Sequence, residues 1–194
     1  MPPRDAGAAL MALWPYRIEA AAARLRALLW RLRGLAVGQG AAVHGGVRLR
    51  FGAGSALGAR SVLYRDVQLL ATGDGRFRIG RDSHLAPGAY VLVGGQTLDI
   101  GDDVAIGPGL MLFCESNDAG PDGLFRTQYR RAPVRIGSNV FIGARVTVLP
   151  GAVIDDHVVV AAHAVVSGRL ASGWVYGGCP ARPLRPLRHP AAAS

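Results

Sequence analysis

Between Val37 and Val166, aliphatic residues recur at steps of six. They form six groups of three: Val37, Val43 and Leu49; Leu57, Leu63 and Leu69; Ile79, Leu85 and Val91; Ile100, Ile106 and Leu112; Ile136, Ile142 and Val148; Ile154, Val160 and Val166. The step breaks after Leu49, Leu69, Val91 and Leu112, always between groups and never inside one. An α-helix places residues six apart on nearly opposite faces, so it does not explain the period. A flat antiparallel sheet needs hairpin turn signals that are absent. Three short strands per turn, with insertions leaving one corner, account for both the step and its interruptions. The pattern predicts an all-β parallel β-helix of about six three-strand coils, each rising about 4.8 Å along the axis. Glycine often follows the aliphatic residue, as in "IGDDVAIGPG" and "IGSNVFIGAR". There it is expected to supply corner conformations that bulkier residues avoid.

Upstream of the repeat the period changes to steps of three and four. Ile18, Ala21, Leu25, Leu28 and Leu32 mark an apolar stripe on a helix from Pro15 to about Arg33. Proline suits a first helical position and argues against helix before it. Gly34 is the expected stop. The stripe is expected to pack across one end of the β-helix; a basic amphipathic helix resting on an anionic membrane is the second reading. The organisation is then a helical arm over 1–35, a β-helix over 36–178 with a protruding loop over 113–133, and a Pro/Arg-rich tail over 179–194. That tail, from Cys179 onward, is expected to be extended and partly loose.

Composition narrows the picture. The chain has 194 residues, of which 27 are glycine and 7% aromatic. That balance suits narrow repetitive β architecture, and no G-X-Y triplet points to collagen. The net charge is +9 and every basic side chain is arginine. Such a surplus favours anionic partners such as phosphate-bearing cofactors. Without an interleaved aromatic platform or recognition motif, nucleic acid is not an expected partner. Six arginines lie within residues 1–35, against Asp5 and Glu19. The stretch Ala6 to Trp14 is preceded by Arg4 and Asp5 and soon interrupted by Pro15, a poor match to a signal peptide. Cys114 and Cys179 form no CxxC pair, which fits a reducing cytoplasm.

The hexads from Asp99 onward, the long loop, "PVRIGSNVFIGARVTVLPGAVI" and the ending "VYGGCPARPLR" resemble the hexapeptide-repeat acyltransferases. The similarity covers about residues 37–186, and its later part looks like galactoside, maltose and polysaccharide O-acetyltransferases. The resemblance implies a left-handed β-helix, against the usual right-handed crossover preference. It implies a homotrimer with active sites between subunits, acetyl-CoA as acyl donor and a sugar or glycan hydroxyl as acceptor. Carried over residue by residue, it puts Ala144, Ala162 and Ser167 along the pantetheine arm, and Arg182 and Arg185 near the CoA phosphates. As plain structure, the same small residues are β-helix corners and the same arginines solvated charges. The lysine often found after the Ser167 position is Gly168 here, followed by Arg169.

The family's catalytic base is a loop histidine, whose near-neutral pKa suits proton abstraction. Counted from Ile100, its position falls on Asn117, and the loop has no histidine. Asp118, or else Glu115, is expected to take that role if desolvation raises its pKa. Asn117 is alternatively an acceptor-orienting residue, and the whole chain a non-catalytic trimeric binding or scaffold protein. The galactoside enzymes' acidic acceptor positions are lost around Val93, Gly94 and Gly95, so galactosides are not expected acceptors. On the loop, Arg126, Arg130 and Arg131 with Tyr129 are suited to a phosphate or uronate. His84 is assigned to the first face of its coil, away from the loop's corner. His157 and His163 lack a third ligand, so corner histidines are expected rather than a metal pair. Val158, Val159 and Val165 are expected on exposed sides available to a partner.

Overall fold

The computed structural model describes residues 6–120 and 123–187, with side chains from residue 18 onward. Three parallel sheets of short strands wind as a left-handed β-helix of about six turns behind one N-terminal helix. The first sheet stacks Val37, Leu57, Ile79, Ile100, Ile136, Ile154 and then Leu170 in register. The second stacks Val43, Leu63, Leu85, Ile106, Ile142, Val160 and Tyr176. The third stacks Leu49, Leu69, Val91, Leu112, Val148 and Val166. These are the three residues of each six-step group. All but the end residues Val37 and Leu49 are buried. The period thus set both the strands and their register, because a slip of one residue would turn every aliphatic side chain outward.

Three edges join the sheets. Edge I, from first to second sheet, holds left-handed backbone at Arg60, Asp82, Asp103, Asn139 and His157. Edge II, from second to third, does the same at Asp66, Arg145 and His163, with Gly46, Gly88 and Gly109 at the equivalent turns. Edge III, from third back to first, carries every insertion. The glycines after the aliphatic residues have a different purpose from the one expected. Gly58, Gly80, Gly101 and Gly143 do not have positive φ. A Cβ on Gly101 would lie 2.7 Å from the Gly137 carbonyl carbon, and one on Gly143 2.5 Å from the Ala162 nitrogen. Close approach of successive coils excludes a side chain there. The left-handed corners are shared between other glycines, such as Gly46, Gly88 and Gly109, and Asp, Asn, Arg and His, of which Asp and Asn tolerate that conformation best.

Helix α1 spans Ala6–Leu32, so it begins nine residues before the expected start and carries Pro15 in its interior. Ala8, Ala9, Leu10, Met11, Ala12 and Leu13 are strong helix formers, and the helix runs on through a proline that removes one ladder hydrogen bond and crowds the carbonyl four residues before it. Its end is as expected: Leu35 N–H donates to the Trp30 carbonyl, Gly34 N–H to that of Arg31, and Gly34 has φ +97°. The buried face is Ala23 and Ala27, with Trp30 against Phe51 and Phe51 against the fully buried Phe77. The Ile18–Leu32 stripe points outward instead, because a helix lying close against the first coil needs small residues at the contact. Val158 is fully buried rather than exposed, since it precedes its strand at a corner; Val159 and Val165 are half-buried on the sheet exteriors. Within the described residues, which run to 187, the tail is ordered. Arg182–Pro186 pairs antiparallel with Trp174–Gly177 across a register shift, an edge-strand setting that tolerates Pro183 and Pro186. Residues 188–194 of the expected loose tail lie outside the described residues.

Candidate functional site

The protruding segment is a β-hairpin leaving edge III of the fourth coil. Glu115–Asn117 pairs antiparallel with Tyr129–Arg131, and a short 3-10 turn at Phe125–Thr127 approaches the tip. Its base is anchored at Cys114, whose side chain is buried beside the Thr97 carbonyl and whose own carbonyl accepts from Ala132 N–H. Burial pushes the Cys114 thiol up to about 12, so it is an inert packing residue.

The three expected catalytic residues have distinct settings on this hairpin. The Asn117 side-chain amide donates 3.0 Å to the Phe125 carbonyl and 3.5 Å to that of Gln128, tying the strands together. The Glu115 carboxylate accepts 2.8 Å from Arg131 Nε across the hairpin. Arg131 also stacks on Tyr129, with its guanidinium carbon 4.8 Å from the ring centre. Asp118 is exposed and, among the described residues, accepts only from the adjacent Ala119 N–H. Of the loop cations, Arg131 is thus committed to Glu115 and Tyr129, while Arg126 and Arg130 are exposed.

The expected CoA residues gather elsewhere. Ala144 and Ala162 occupy equivalent turns of edge II on successive coils, where His163 N–H donates to the Ala144 carbonyl. The returning tail strand reaches the same edge: Val165 N–H donates to the Gly178 carbonyl, and Ala181 N–H to that of Val165. Arg182, opposite Gly177, therefore lies at the same edge as Ala144 and Ala162, on a later strand of the stack. Arg185 lies three residues further along the strand, opposite Val175. Both arginines are exposed and, among the described residues, donate to the nearby backbone carbonyls of Ala181 and Pro186. Ser167 lies across the third sheet, at edge III.

One protomer therefore places Ala144, Ala162 and Arg182 along edge II and the hairpin on edge III. Gly94 and Gly151 mark how the hairpin base sits at edge III. A Cβ on Gly94 would lie 3.0 Å from the Glu115 carboxylate, and one on Gly151 3.4 Å from Ala132 Cβ. The sequence reading did not find the Glu115–Arg131 pair. Its only signal is symmetrical spacing about the hairpin tip, and a hairpin was not expected.

His84 lies on the second sheet, not the first, because its neighbour Leu85 is the middle member of its group. It remains away from edge III. Burial pushes its pKa down, and its ring meets Tyr64 edge-on. His157 and His163 sit at edges I and II, at opposite ends of one strand of the second sheet, so they do not converge. Among the described residues no group of three or more His, Cys, Asp or Glu converges as metal ligands.

Residues 133–168 match the family model described as bacterial transferase hexapeptide (six repeats). Within those residues the six-residue step is that of the bacterial transferase hexapeptide. The chain resembles the hexapeptide-repeat acyltransferases more widely. It is 28% identical to galactoside O-acetyltransferase of Escherichia coli over 116 residues, 57% of each chain. It is 43% identical over 56 residues, 29% of each chain, to WbbJ of the same organism, a protein named for O-acetyl transfer in lipopolysaccharide biosynthesis. The match thus spans a little over half of the first relative and under a third of the second. The hexapeptide-repeat fold also superposes on the N-acyltransferase AntD of Bacillus cereus, solved as a mutant with dTDP and coenzyme A. The TM-score is 0.75 at 20% identity, covering 82% of this chain and 88% of that one. No helix among the described residues is long and apolar enough to cross a membrane.

Proposed function

We propose that the protein is an acyl-CoA-dependent O-acyltransferase, with acetyl-CoA as donor and a hydroxyl of a sugar or surface-polysaccharide precursor as acceptor. One observation carries this reading: the small residues and arginine suited to CoA share edge II, whereas the hairpin with the candidate base stands on edge III. Such halves make one site only between copies of the chain, which supports a homotrimer with intersubunit sites. The relatives named for O-acetyl transfer support the reaction class. The cytoplasm is the setting in which acyl-CoA is available and the free thiols of Cys114 and Cys179 persist.

In this reading Ala144 and Ala162 leave room for the pantetheine arm at edge II, and the Arg182 and Arg185 guanidiniums meet the CoA phosphates. Ser167 of the neighbouring copy approaches from its own edge III. The Asp118 carboxylate takes the acceptor's hydroxyl proton as the oxygen attacks the thioester carbonyl. The tetrahedral intermediate then collapses, breaking the C–S bond, and the CoA thiolate takes up a proton as it leaves. Asp118 is preferred to Glu115 because Glu115 is already paired with Arg131. A second reading, a non-catalytic trimeric binding or scaffold protein, is favoured by the side chain of Asn117, which is spent on the hairpin itself.

The test is acetyl-CoA binding by calorimetry, followed by transfer to a panel of nucleotide sugars and glycans, with light scattering for mass. Binding with turnover at about three times 20.3 kDa is expected. A stable monomer overturns the intersubunit site. A trimer that neither binds acetyl-CoA nor acylates any acceptor selects the scaffold reading.

A further inference from the structure

We propose that the outer face of α1 docks on an anionic membrane surface, lying in its plane. The helix is fastened to the first coil through Ala23, Ala27 and Trp30, and this leaves its larger side chains outside. Ile18 is 54% exposed, Leu25 60%, Leu28 49%, Leu29 51% and Leu32 78%. At 100° per residue they fall within a sector about 100° wide, running about 22 Å along the helix. Arginines border the sector on both sides, Arg24 and Arg31 on one flank and Arg26 and Arg33 on the other. Arg24 and Arg31 also line a groove between α1 and the first coil, beside Gly38, Gln39 and Gly40. Among the described residues no acid pairs with either.

Charge decides what covers this face. A second copy laid stripe to stripe would bring arginine rows against arginine rows. The only acid in α1 is Glu19, and it already faces Arg26, His44 and Arg65. Lipid phosphates have the opposite sign and lie at the depth where arginines flanking a buried leucine row emerge. Arg24 and Arg31 then hold headgroup phosphates in the groove while the leucines enter the acyl boundary. This inference does not depend on the acyltransferase reading.

The experiment is co-sedimentation of the full chain with phosphatidylcholine vesicles, with and without phosphatidylglycerol. Binding is expected only to the vesicles containing phosphatidylglycerol. Replacing the exposed leucines (Leu25→Gln, Leu28→Gln, Leu32→Gln) should weaken it at least about tenfold, because apolar area no longer leaves water. Arg24→Gln with Arg31→Gln should weaken it about fivefold per arginine and flatten its salt dependence. Circular dichroism and the melting temperature should be unchanged in both variants, since these side chains are exposed. Absence of wild-type binding to the anionic vesicles, or equal binding to both vesicle types, overturns the proposal. A leucine variant that binds no less but forms a smaller assembly by light scattering assigns the face to a second copy instead.

Discussion

The Asn117 amide donates a 3.0 Å hydrogen bond to the carbonyl of Phe125, eight residues on across the hairpin. The residue at the expected base position is therefore a clasp. Asn117→Asp should replace a donor with an anion facing the carbonyls of Phe125 and Gln128. A local loss of about 1–2 kcal/mol is expected. Hydrogen exchange should show the amides of Thr127, Gln128 and Asp118 opening faster, with protection in the β-helix unchanged. Unchanged exchange in the hairpin would mean that the clasp contributes nothing.

The same geometry separates the two candidate acids. Removing a general base typically costs 10²–10⁴-fold in rate. Asp118→Asn should lower turnover by at least about a hundredfold while leaving CoA affinity nearly unchanged. Glu115→Gln removes half of an ion pair with Arg131, so its effect should come through hairpin geometry and stay below about tenfold. Equal losses from both variants would assign Asp118 no special part. Asn117→His restores the family's residue type and should raise turnover, provided the acceptor docks in the family's manner.

What the sequence made legible was whatever a fixed period controls. Val37, Leu57 and Ile79 could be placed in one column because each coil repeats the same three-strand geometry. Helix α1 shows the limit. Its Leu25–Leu28–Leu32 stripe is the most apolar face, yet Ala23 and Ala27 make the contact, because close approach selects small residues and a hydrophobic pattern does not register that. Glycine misled in the opposite direction. Gly101 and Gly143 are needed for space between coils, whereas Asp103 and His163 carry the left-handed turns. The division of candidate site residues between edges II and III is a property of the winding. It could not be read from residues 117, 144 and 162 as separate motif positions.

Space between coils gives a stability prediction. Gly143→Ala should place a methyl group about 2.5 Å from the Ala162 nitrogen and 2.9 Å from its Cα, both backbone atoms that cannot swing away. Overpacking of this kind costs about 1–3 kcal/mol. Phe77→Ala, which empties the fully buried site beneath Phe51, should cost about 3–5 kcal/mol. Urea titration of both variants checks the order. A Gly143→Ala protein as stable as wild type would show that the coils can separate at that corner.

Acid should weaken the contact between α1 and the β-helix. Burial would raise the Glu19 pKa, but the hydrogen bond from Arg26 and the charges of Arg26, Arg65 and His44 outweigh it and hold it below the ordinary carboxylate value. A carboxylate depressed in the folded state stabilises that state above its unfolded pKa, and the contribution disappears as pH falls through the folded one. The docked helix should therefore be pH-independent near neutrality and loosen as pH drops through and below about 4. Trp30 packs on Phe51 and reports this contact, once Trp14→Phe and Trp174→Phe remove the other tryptophans. Its emission should shift to the red over that window in the wild-type background. With Glu19→Gln the same shift should vanish, leaving a helix whose docking is weaker at neutral pH and indifferent to acid. A transition that survives in Glu19→Gln would place the titrating group elsewhere.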